Sequence, residues 1–199
     1  LLELTDMTLN NQNKILCELN DLLGDCIQDL FEFGIKFEDA GLFEKFIFQI
    51  IYHNSSILKM TNGSHINIRE KELQINDLTS IYSLARLQIE TFVNLSYLFF
   101  IDSKYSVSLR VTVFKIQGLR KQIELTKKHP KNFPPVAKLR NELSKELFKL
   151  RKLNEFKDSS RSEKNKFLFP KYARLLKPED VYGLINIGNL SEIHGLYSN

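Results

Sequence analysis

Apolar residues return every three or four positions over long stretches of this chain, and that period selects the α-helix. Leu16, Leu19, Leu23, Cys26, Leu30 and Phe33 form one such series, which lines one seam of a helix. Leu78, Ile81, Ala85, Phe92, Leu95 and Phe99 form a second, with polar Gln88 inside the seam. Leu109, Val113, Ile116 and Ile123 form a third, and Val136, Leu139, Leu143, Leu147, Leu150 and Leu153 a fourth. Four recurring seams predict an all-α chain, a bundle of five to seven helices.

Local punctuation sets the expected boundaries. The first helix is predicted over about Thr8 to Phe33, with Gly34 and the stretch 38–41 breaking and restarting the chain. The second, about Ala40 to Met60, packs Leu42, Phe43, Phe46, Ile47, Phe48, Ile50, Ile51 and Tyr52 into eleven positions, the composition of a central helix. In segment 61–76, Asn62 and Gly63 mark a turn and Ile66, Ile68, Leu73 and Ile75 alternate, which reads either as a small β-hairpin or as an irregular loop. Asp77 is a good N-cap for a third helix running to Ile101. The fourth ends before Pro130, and the β-branched Val107, Val111, Thr112 and Val113 count against it. Pro135 suits the first turn of a fifth. Residues Lys157 to Lys166 read as an exposed, mobile connection, and Pro178, Glu179 and Asp180 as the first turn of a last helix.

With 199 residues, one domain accommodates the whole chain, 1–199, with a basic, partly mobile segment at about 130–177. Cys17 and Cys26 stand nine residues apart on one helix and cannot bridge each other there. Reduced thiols packed in a core, and a cytoplasmic location, are therefore expected. The apolar runs Phe46 to Tyr52 and Phe92 to Ile101 fall short of the roughly 20 residues a spanning helix needs, so no membrane association is expected. The N-terminus shows no basic patch followed by an apolar run, the mark of a signal peptide.

Charge is distributed unevenly. Residues 110–177 hold 20 Lys and Arg against 6 Asp and Glu, a net +14, whereas the remainder is −10. The split points to a basic face for RNA or an acidic protein partner, or equally to contact between acidic and basic parts of the same chain. Lys149, Arg151, Lys152 and Lys157 are the candidate nucleic-acid-binding residues, with Phe148 and Phe156 assigned at least partly to packing, so that base stacking contributes little. The plainer reading of the basic face of the fifth helix is a solvated surface.

Motifs for common enzyme classes are missing: there is no phosphate-cradling P-loop, dinucleotide glycine fingerprint, paired-cysteine zinc site or HExxH pattern. His53, His65, His129 and His194 lack ligand-like spacing, so neither metal nor cofactor is expected. His53 reads as structural. Arg86 and Glu90 lie one helical turn apart and are expected to pair, partly buried, in the third helix. Near the C-terminus, Ser191 and His194 would be neighbours on a helix, and a histidine so placed could transfer protons; the plainer reading is a packed or capping histidine.

The series Asp77, Ser80, Ile81, Ser83, Arg86, Glu90 and then Ser191, Ile193, His194, Gly195 resembles an all-helical bacterial family related to the HEPN (higher eukaryote and prokaryote nucleotide-binding) proteins. The resemblance covers residues 77–199. It implies an RNA-associated, phage-defence or toxin–antitoxin type of role and a homodimer. HEPN ribonucleases use an arginine, a polar residue and then a histidine; His194 matches the histidine and Asn189 the polar residue, but Gly188 stands where the arginine would be. The resemblance thus implies action mainly by binding. One alternative is a metal-independent endoribonuclease in which His194 is the acid or base, assisted by Asn189 and Ser191, with Arg86, Arg161 or Arg174 supplying the charge. Another is a helical protein–protein adaptor.

Overall fold

The computed structural model describes residues 2–32, 39–61, 63–68, 71–75, 77–128, 135–171, 174–176, 180, 181 and 183. Among the described residues the fold is all-α apart from one hairpin, and the chain divides into two compact units, residues 1–95 and 96–199.

Unit 1 contains α1 (Leu2–Glu32), α2 (Ala40–Thr61), a hairpin of β1 (Ser64–Ile68) and β2 (Lys71–Ile75), and α3 (Leu78–Leu95). As its composition predicts, α2 is the central helix, packed against both α1 and α3. It starts at Asp39, whose φ of 66° lies in the left-handed region that aspartate tolerates and whose carbonyl accepts from Leu42 N at 2.8 Å. Phe46, Ile47, Ile50 and Ile57 form its buried face.

Of the two readings of 61–76, the hairpin holds. The strands are antiparallel with Ser64 opposite Ile75 and Ile68 opposite Lys71, which leaves a two-residue connection. Asp77 then caps α3, its carboxylate accepting from Ser80 N at 3.1 Å and from Ser80 Oγ at 2.5 Å.

A buried polar chain crosses unit 1. Asn54 of α2, fully buried, donates to Asn20 Oδ1 of α1 at 2.8 Å and accepts from Gln88 Nε2 of α3; Asn20 in turn donates to Ser55 Oγ at 3.3 Å. Asn20 therefore faces α2, between Leu16 and Leu23 and in line with buried Ile27. This corrects the expected seam of α1. Leu19 is turned outward, and Cys17 and Cys26 are exposed rather than packed in a core. Burying Asn54 without partners would cost about 1–3 kcal/mol, so meeting its hydrogen bonds decides the rotation of α1.

The α-helical pattern of α3 stops before the expected end at Ile101. Ser96–Phe100 form a π turn, with Ile101 N donating to Ser96 O at 2.9 Å. Unit 2 continues with α4 (Val107–Lys128), α5 (Val136–Lys152), α6 (Asn154–Asp158) and α7 (Arg161–Leu168). Its core joins Leu109, Val113 and Ile116 to Leu150, Phe156 and Phe167. The β-branched residues that count against α4 are the reason it forms: Val111 and Val113 are fully buried. Each burial is worth about 1.5–3 kcal/mol, against a propensity penalty of at most about 0.7.

The exposed connection expected at 157–166 is replaced by folded structure. Ser160 and Glu163 form a capping box that starts α7, and Phe156 and Phe167 on either side of it enter the core, their rings 6.4 Å apart. Pro135 sits at the N-cap of α5, just outside the predicted first turn.

Candidate nucleic-acid interface

Helix α5 is built from two incompatible faces. Leu139 and Leu150 are buried, with Leu143 and Leu147 packed against the same core, and these positions fix how the helix is turned. At 100° per residue, Lys138, Lys145, Lys149 and Lys152 then share one outward ridge, spanning about 21 Å, while Arg140 and Arg151 share another. All six are exposed. Between the ridges stands Phe148, 59% exposed, with the Lys152 ammonium 4.3 Å from its ring centroid. Lys149 meets Glu146 Oε1 at 3.3 Å, and Lys157, exposed on α6, continues the charge beyond the helix.

Phe148 is the residue that sequence reasoning misplaced. Of the pair assigned to packing, Phe156 is buried and Phe148 is not. The helical wheel carried the signal, because Phe148 falls opposite Leu139 and Leu150 in the same helix. A second exposed ring, Phe169, lies under the Arg120 guanidinium at 4.6 Å. Two rings with cations over them offer stacking surfaces that the basic segment was not expected to present.

Arg110 is the other feature the sequence concealed. It lies in the first turn of α4, 3% exposed, and donates from Nη1 to Ile101 O at 2.7 Å, tying the end of the π turn to α4. Its guanidinium is 5.6 Å from the ring of fully buried Tyr97, whose hydroxyl accepts from Leu175 N at 2.9 Å. Burial lowers the Arg110 pKa and raises that of Tyr97. Glu155 of α6 completes this end of unit 2: one carboxylate oxygen accepts from Ser106 N at 2.9 Å and the other from Ser106 Oγ, so that a negative charge sits at the N-terminus of α4. Arg110 is thus a positioning residue for the fold.

The remaining candidates are dispersed. Arg86 Nε and Glu90 Oε1 approach to 3.5 Å as expected, but with the side chains 51% and 46% exposed. Their pairing is a surface contact because this side of α3 points away from Asn54. Arg161 is exposed in the first turn of α7, and Arg174 is half-buried with Nη1 lacking a hydrogen-bond partner. His53 is half-buried, its Nδ1 has no partner, and burial lowers its pKa below 6.5. His194, Asn189 and Ser191, with Gly188, lie outside the described residues. Among the described residues no group of acidic, histidine or cysteine side chains could hold a metal, and no helix is long and apolar enough to cross a membrane. No protein-family model, curated protein or solved structure matches this chain.

Proposed function

We propose that the chain binds RNA through the outward face of α5, extended by Lys157 on α6, and acts mainly by binding. The observation that carries this reading is Phe148, an exposed ring between a lysine ridge and an arginine ridge. Cations neutralise phosphates and release counterions, while the ring offers a stacking platform that every base fits. Such a surface has little sequence preference. Gly188, where a HEPN ribonuclease would carry arginine, argues for binding without cleavage. The resemblance to HEPN-like proteins would place this binding in an RNA-associated, phage-defence or toxin–antitoxin role.

The test measures affinity for a single-stranded RNA across a range of salt. Replacing Lys149, Arg151, Lys152 and Lys157 with glutamine should flatten the slope of log K against log salt by about 3, at about 0.7 per lost phosphate contact. Phe148→Ala should weaken binding by about 1–3 kcal/mol and leave that slope unchanged. A slope unaffected by the four replacements would remove RNA from this face and favour an acidic protein.

A further inference from the structure

The rotation of α1 leaves a second seam on its open side. Ile15, Leu19, Leu22 and Cys26 follow one another at steps of four, three and four, the spacing of paired coiled-coil positions, and all are exposed. Ile15 and Leu22 are 61% and 59% exposed. A solvent-facing helix surface ordinarily carries polar residues at such positions, so a continuous apolar line over about three turns marks a face shaped for another helix.

Charge determines which helix. Residues 2–32 hold seven acidic side chains and one lysine. In the register of this seam, Glu18 and Asp25 take the flanking position where ionic partners are selected, and Asp21 adds to the ridge. Glu18 meets the one lysine, Lys14, at 3.8 Å, in a pair whose side chains are 76% and 65% exposed. The last turn of α1 contains no basic residue, and Asp29 and Glu32 stand there against the preference of the helix dipole. The acidity of this last turn therefore does not serve the helix's own stability.

We infer that the α1 seam Ile15, Leu19, Leu22 and Cys26 docks an amphipathic helix of a basic partner protein, with lysines or arginines facing Glu18, Asp21 and Asp25. A second α1 is a poor occupant because two acidic ridges would face each other. Nucleic acid and anionic lipid are repelled by the same charges. The exposed Leu78, Tyr82 and Phe92 of α3 have no comparable charged ridge to specify an occupant, so the assignment stays with α1.

The test uses the full chain and three synthetic helical peptides: one with a leucine seam flanked by lysines, one with the same seam flanked by glutamates, and the lysine peptide with its sequence scrambled. Fluorescence anisotropy should show the first binding at least about tenfold more tightly than the other two, since the glutamate peptide sets like charges across the interface and the scrambled one loses its apolar seam. Ile15→Asp with Leu22→Asp should abolish binding. Glu18→Gln, Asp21→Asn and Asp25→Asn together should weaken it about tenfold and flatten its salt dependence. These last changes touch no apolar contact, so they keep the proposal falsifiable if the double aspartate variant melts early in circular dichroism. Equal binding of the scrambled peptide, binding undiminished at the charge-neutralised α1, or no binding of the lysine peptide would overturn it. So would sedimentation showing that the chain self-associates through Leu22.

Discussion

The two units solve the same problem, uniting helices around a core, in opposite ways. In unit 1 the three helices are joined by the hydrogen-bonded chain Asn20, Asn54 and Gln88, and α1 retains an apolar seam facing outward. In unit 2 helices α4 to α7 join through the apolar cluster of Leu109, Val113, Ile116, Leu150, Phe156 and Phe167, the buried Arg110 is tied to the π turn rather than to another helix, and the outward face of α5 is basic. The charges follow the division: residues 1–95 hold 7 Lys and Arg against 14 Asp and Glu, and residues 96–199 hold 21 against 10. A polar chain specifies one register at a modest gain in stability, whereas an apolar core contributes stability with less demand on exact pairing.

The largest effect should come from the apolar core. Phe167→Ala should destabilise unit 2 by about 3–5 kcal/mol, because a ring 1% exposed is removed from close packing. Hydrogen exchange of α4 amides, compared with those of α2, reads this loss. Unchanged protection in α4 would show that α7 is only loosely docked.

In unit 1, Asn54→Leu should cost about 1–3 kcal/mol by leaving Asn20 Oδ1 without its donor and Gln88 Nε2 without its acceptor. Replacing Asn20, Asn54 and Gln88 together with leucine should recover most of that stability while broadening the amide resonances of α1, as the register becomes degenerate. A triple variant that remains as unstable as the single one would mean that the chain supplies more than register.

A smaller effect, in unit 1, depends on pH. The folded-state pKa of His53 is lowered by burial, so the unfolded chain binds its proton first; stability falls as the pH drops below about 6.5 and levels off below the folded value. His53→Gln should flatten the pH dependence of the unit 1 melting temperature just below pH 6.5. If the dependence is identical in the variant, another group titrates there.

The smallest effect is expected at Arg86 and Glu90. Half-exposed on both sides, the pair should contribute about 0.3–0.5 kcal/mol, so Arg86→Met and Glu90→Gln should each leave chemical denaturation midpoints nearly unchanged. A loss of more than about 1 kcal/mol would restore the buried pair that the sequence suggested.

Sequence alone determined the helices, because the information that specifies them is local. A 3.6-residue apolar period, an aspartate at the start of α3 and Gly63 after α2 act within a few residues of where they stand. The same locality made Lys149, Arg151, Lys152 and Lys157 legible as polar positions, and the Ser160 to Glu163 capping box was available to be read as the start of α7. Tertiary structure decided the rest. Leu16, Leu19, Leu23 and Cys26 satisfy helical spacing as well as Leu16, Asn20, Leu23 and Ile27 do, and contacts distant in sequence, the bond between Asn20 and Asn54, 34 residues away, together with burial of Ile27, select the second set. Arg110 is polar by type yet buried, because Ile101 O, the Tyr97 ring and the charge of Glu155 gather around it from separate segments. Phe148 is apolar by type yet exposed, because Leu139 and Leu150 claim the core side of its helix. Residue chemistry and spacing specify which faces a helix has; which face is buried depends on the free energy of contacts with partners distant in sequence.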